Sequence, residues 1–345
     1  MSDPRVDRAI ASGYAPAEIA DILNDNYDTA GLVTITIFSV LAVFFVVCRL
    51  ISRKYILKSY GIGLDDGLAL VSLRTEKLVF IPFVGLCIDL VNVGAGRNWD
   101  FIGYVLDPPD RRRLQIIDSV AHLVYSTALV LCRISGLAFY YRICSLHKEF
   151  LIAIKIIFAT LIAAYVTQMC LIIFHCRPVS LMWAPLDAYD LDFEIYKCLD
   201  WFDIYATISS ISLFCDFLLF GIPAAMPKAL ELSGKQKLQL ACTLLPGVLV
   251  IGISAGRIAL VFQFGIENYD YQFAFLKLLC VEVAEISATI IALSVPGVKP
   301  MVDKYILRKG KDSTSSECSA PSENKSNERR MQKYTARELE DKLAE

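Results

Sequence analysis

The chain has 345 residues, of which 55% are hydrophobic, and a formal net charge of −2. Its mean hydropathy is +0.50. A soluble domain is nearer 45–50% apolar, so an integral membrane protein is the simpler class, and the near-neutral charge gives no pull toward nucleic acid.

Residues 1–30 are polar and acidic, lack the apolar core of a signal peptide, and read as an N-terminal tail. A bilayer core takes about 20 apolar residues per helix. Seven runs meet that need, at roughly 31–51, 67–94, 115–141, 150–174, 201–222, 238–264 and 273–295. The fold class is therefore all-α, a seven-transmembrane helix bundle, with residues 31–298 as the membrane domain. Residues 299–345 form a polar, largely disordered tail.

The second run is irregular. Asp65 and Asp66 precede it and suit the N-terminus of a helix. Arg74, Glu76, Lys77 and Pro82 then interrupt it. Removing RTEKLVFIP, Arg74 to Pro82, leaves one clean span, so the segment reads either as a splice-derived insertion or as part of a longer kinked helix.

Lys and Arg in the short connections set orientation. Arg53, Lys54 and Lys58, then Arg142 and Lys148, then Lys228, Lys235 and Lys237, and the basic start of the tail outweigh the opposite side, where Arg111, Arg112 and Arg113 cluster. The expectation is an N-terminus outside and a cytoplasmic C-terminus. Of eleven cysteines, Cys176 and Cys198 share one connection, which that topology puts in an oxidising compartment; a disulfide is expected there. No cysteine or histidine spacing supports a metal site.

The stretches GLDDGLALVSL, GAGRNWD, LCRISGLAFYYRIC, FHCRPVSLMW, KCLDW, CDFLLFGIPAAMPKAL, ISAGRIALV and EVAEISATIIALSVPGVKP follow one another from about residue 61 to 300. In that order they resemble the fungal rhodopsin-like integral membrane proteins. The resemblance implies seven helices and, by association, a receptor-like or secondary-metabolite role. RTEKLVFIP departs from the family's continuous second helix. A retinal Schiff base needs a lysine at mid-depth in the last span; Lys277 sits only about one turn from its end, so no retinal and no other cofactor is expected. Arg142 in YYRIC lacks the acidic neighbour of the G-protein-coupled receptor signature.

Ionisable groups at membrane depth need partners. At about 1.5 Å per residue, Asp216 lies about 9 Å and Arg133 about 12 Å from the same membrane side, so they form one expected layer. Arg257, Glu282 and Glu285 lie nearer the other side and form a second, to which Asp89 and Arg97 are added; Asn92 shares a helix face with Asp89. These groups either fasten helices or line a cavity for a small-molecule ligand or substrate. Three functions compete. A receptor or sensor would take a ligand from outside and engage a cytoplasmic signalling partner through the inner loops and tail. A membrane enzyme would use the intramembrane carboxylates as acids. A transporter is disfavoured by the lack of an internal repeat. The reading favours the receptor in a plasma membrane or endomembrane.

Overall fold

The structure, a computed structural model, describes residues 3–57, 79–143, 148–177, 179, 197–229, 234–266 and 273–305. Asp65, Asp66 and the charged residues Arg74, Glu76 and Lys77 lie outside them. By backbone proximity the chain forms two units, Met1–Gly297 and Val298–Glu345.

Six helices are long and apolar enough to cross a membrane. They are α3 (Asp28–Leu57), α6 (Pro108–Ile143), α7 (Lys148–Phe174), α8 (Trp201–Ala229), α9 (Gly234–Ile266) and α10 (Ala274–Tyr305). A shorter apolar helix, α4 (Val79–Ala95), is the seventh element of the bundle. Helices of this kind satisfy their backbone polar groups internally, which lipid demands. Their apolar side chains divide into two sets. On α3, Val33, Ile37, Val40, Phe44 and Val47 recur at helical spacing and are exposed, the pattern of a lipid-facing stripe. Phe80, Phe83, Leu90, Leu129, Val283 and Ile286 are buried and join α4, α6 and α10 in the main core.

Val79 to Pro82, the end of the interrupted stretch, are helical, and Phe80 packs inside. Pro82 sits in the first described turn of α4, where the missing N–H breaks no bond within the described helix. α10 continues through Tyr305, past residue 299 where the polar tail was expected to begin.

Residues 3–30 fold rather than trail. α1 (Pro4–Ala11) starts with Asp3 as N-cap and proline in the first turn. α2 (Ala20–Asn24) follows, and Val6, Ala9, Ala15 and Leu23 enter the main core beside Leu90 and Phe101. The polar composition conceals this because the apolar residues are few and spaced to one face.

A second device fixes this segment. The last turn of α4, Val91–Ala95, winds as a π-helix and kinks at Gly94, whose φ of 140° suits glycine. The chain then turns, Asn98 caps the short helix α5 (Trp99–Tyr104), and Arg97 points back to the N-terminal segment. Arg97 bonds Asp3 at 2.9 Å and Asp28 at 3.0 Å, and its guanidinium lies 5.0 Å from the Phe101 ring centre. Burial pushes the Asp3 carboxyl up, but the backbone N–H and guanidinium of Arg5 and the charge of Arg97 pull it down further, to a net value below its usual range.

α7 and α8 are joined across the strands β1 (Cys176–Arg177) and β2 (Lys197–Cys198), which pair antiparallel with Cys176 opposite Cys198. These two cysteines form the expected disulfide.

Candidate functional site: a cavity above a buried ion cluster

Four helices place polar residues on their inner faces at helical intervals. α6 contributes Asp118, His122, Tyr125 and Arg133; α8 contributes Tyr205, Ser212 and Asp216; α9 contributes Ser254 and Arg257; α10 contributes Glu282 and Glu285. Spacings of three, four, seven or eight residues keep each set on one side of its helix.

Asp216 has its expected partner. Arg133 Nε donates to Asp216 Oδ1 at 2.9 Å, with both side chains about 5% exposed. Arg133 also donates through Nη2 to the hydroxyl of Ser212 at 2.6 Å and to that residue's carbonyl at 3.1 Å. The other Asp216 oxygen accepts from Ser254 at 2.8 Å.

Glu285 joins this pair to Arg257, so the two expected layers are one cluster. Its Oε1 accepts from Ser212 at 3.2 Å and shares the Ser254 hydroxyl, 3.1 Å away, with Asp216; Arg133 Nη2 is at 3.8 Å. Its Oε2 accepts from Tyr125 at 2.7 Å and pairs with Arg257 Nη1 at 3.1 Å. Arg257 also donates to the Tyr125 hydroxyl. Two guanidiniums and two carboxylates give formal neutrality, which reduces the cost of burying four charges. Tyr125 and Arg257 are the link to the space above.

That space is a cavity of about 1120 Å³ at the end of the bundle that carries the disulfide. Tyr125, Arg257, His122 and Glu282 are part of its wall, and so are Trp201, Tyr205 and both bridged cysteines. Volumes of several hundred Å³ and above suit small-molecule ligands. His122 lies between two carboxylates: Nδ1 is 3.4 Å from Glu282 Oε1, and Nε2 is 3.4 Å from Asp118 Oδ1. Nε2 also meets the Tyr205 hydroxyl. A second space of about 90 Å³ lies on the other side of the cluster and is lined by Arg133, Asp216, Tyr140 and Thr289.

The residues singled out in the sequence therefore divide. Arg133, Asp216, Arg257 and Glu285 meet in the cluster, and Glu282 stands beside it in the cavity wall. Asp89 and Asn92 do not join them. Asp89 pairs with Arg113 at 3.2 Å near the surface, and Asn92 is exposed in the π-turn of α4. The added pair of Asp89 with Arg97 is corrected: the turn at Gly94 swings Arg97 away from α4, to Asp3 and Asp28. Lys277 is exposed in the first turn of α10, over the Phe264 ring.

Asp118, His122, Tyr125 and Tyr205 escape the sequence reading. Their signal was present: Asp118, His122 and Tyr125 fall at i, i+4 and i+7, on the face that also carries Arg133. Among the described residues no group of three His, Cys, Asp or Glu side chains could hold a metal ion.

None of the curated proteins or solved structures compared matches the chain significantly. The family model of the fungal rhodopsin domain matches residues 48–304, which contain α4, α6 to α9 and nearly all of α10. With this match and the apolar helices described above, the chain is a multi-pass membrane protein and belongs to the fungal rhodopsin domain family.

Proposed function

We propose that the protein is a membrane-embedded sensor. A small molecule occupies the large cavity, and the ion cluster carries the change to the opposite half of the bundle. The observation that supports this reading is the double membership of Tyr125 and Arg257, which touch the cavity and the cluster at once. A ligand group that competes for either one alters the contacts of Glu285, and through Ser254 those of Asp216. A buried polar network with alternative pairings is the kind of two-state element that such coupling requires. The distribution of Lys and Arg in the short loops supports a cavity open to the outside and a C-terminal tail in the cytoplasm, where a signalling partner would meet it. Lys277 lies outside the cavity wall, which favours a noncovalent ligand over a Schiff-base chromophore.

One observation favours an enzyme as the second reading. His122 between Glu282 and Asp118, with the Tyr205 hydroxyl at its ring nitrogen, is a set able to give and take protons inside a cavity. Deletion of the gene in its own organism separates the two. A sensor's loss abolishes a response to external compounds and leaves the carbon skeletons of the metabolites intact. An enzyme's loss removes one product and accumulates its precursor, and that result contradicts the sensor.

A further inference from the structure

The cavity's charge and lining point to a class of ligand, given the proposal that the cavity is a binding site. Among the described residues five carboxylates line it: Asp100, Asp200 and Asp203, then Asp118, then Glu282. Asp200 and Asp203 are exposed, Asp118 is about a quarter exposed, and Glu282 is buried, so negative charge runs from the rim to the interior. Against them, two guanidiniums and the imidazoles of His122 and His175 line the same space among the described residues. Arg257 is matched from behind by Glu285, and Arg111 donates to the Leu106 carbonyl. The wall thus carries a surplus of negative charge, in a setting where low dielectric strengthens attraction for a cation.

Two further features narrow the class. Trp99, Trp201, Phe202, Tyr205 and Phe275 give the cavity aromatic surface, which accepts both an apolar body and a cation on a ring face. The wall already contains one such contact, with the Arg257 guanidinium 5.4 Å from the Tyr125 ring centre. Arg257 is 1% exposed, yet its Nε and Nη2 have no hydrogen-bond partner. Buried donors of this kind are costly unless something supplies an acceptor.

We infer that the cavity takes an amphiphilic organic amine: a protonated nitrogen held by Glu282 and Asp118, an apolar body against the aromatic wall, and an oxygen acceptor for Arg257. The carboxylate of Glu282 is the floor contact, with His122 Nδ1 3.4 Å from it. The acidic rim draws the cation in before the deeper contact forms.

The test uses the full chain in lipid nanodiscs and three probes on one scaffold. They are N-(4-aminobutyl)diphenylacetamide, its N-acetyl derivative and its N-succinyl derivative. All three share the diphenyl body and the carbonyl, while the head is positive, neutral or negative. Saturable quenching of tryptophan fluorescence and a rise in the unfolding midpoint report binding. The amine should bind at least about tenfold more tightly than either derivative, the scale of one desolvated charge contact. Glu282→Gln and Asp118→Asn should each remove most of that preference, and Asp89→Asn, outside the cavity, should leave it unchanged. Asp118 is partly exposed, so its variant keeps the test valid should Glu282→Gln fail to fold. Equal binding of the three probes, or tightest binding of the succinyl derivative, overturns the cation inference and leaves the cavity as a binding site. No saturable binding of any probe to folded protein contradicts both proposals.

Discussion

Asp216 presents the energetic problem in its plainest form. A charge at the centre of a membrane helix costs about 2.5–3.5 kcal/mol on insertion scales. Arg133 at 2.9 Å and Ser254 at 2.8 Å offset that cost. Removing one member of a buried pair leaves the other uncompensated, at about 3–5 kcal/mol in soluble proteins. Asp216→Ala and Arg133→Ala should therefore each lower the yield of folded protein, measured by fluorescence-detected size exclusion. The exchange Asp216→Arg with Arg133→Asp should recover part of it; an exchange no better than the worse single variant contradicts the pairing. This pair was legible because helix rise converts sequence position into depth, so two charged residues on different spans can be matched. Depth does not give helix rotation, so the role of Glu285 between Arg133 and Arg257 was not legible. His122 and Tyr125 were hidden for another reason: such side chains are ordinary in helices, and only their shared face with Arg133 marks them.

At the scale of elements, the spans were legible because lipid imposes a length and an apolar composition on them. The N-terminal segment was not. Its core contacts are made by a few residues, Val6, Ala9 and Leu23, in an otherwise polar stretch. The Asp3 cap and the proline in the first turn were the local signal. Arg97 is the clasp that holds it, and pH tests the clasp. Asp3 has a folded pKa below its ordinary value of 3.8. A carboxylate so depressed contributes stability that is present above the unfolded pKa and is lost as pH falls through the folded one. Protection of the N-terminal segment from protease should therefore persist at pH 5 and fail only below about 3.8. Release between pH 7 and pH 5 contradicts a clasp made by Asp3. Gly94→Val should weaken the same segment at neutral pH, by on the order of 1–3 kcal/mol, because a β-branched residue resists its positive φ.

For the whole molecule, the central feature is one carboxylate shared by the helices around it. Glu285 on α10 takes contacts from Tyr125 and Arg133 on α6, Ser212 on α8, and Ser254 and Arg257 on α9. Lipid-facing surfaces gain little from helix association, so polar contacts of this kind and close packing hold a membrane bundle together. The same residue lies between the cavity and the smaller space across the cluster, which makes it the point where binding and bundle stability meet. The most direct measurement is thermal unfolding of Glu285→Gln beside Asp89→Asn, in nanodiscs and without ligand. Glutamine keeps the shape of Glu285 but leaves Arg257 and Arg133 without their shared counter-charge. A loss of about 3–5 kcal/mol should lower the Glu285→Gln midpoint by on the order of 10 °C, while Asp89→Asn, in an exposed pair outside the cluster, changes it far less. Equal midpoints for Glu285→Gln and the unsubstituted protein would contradict the account.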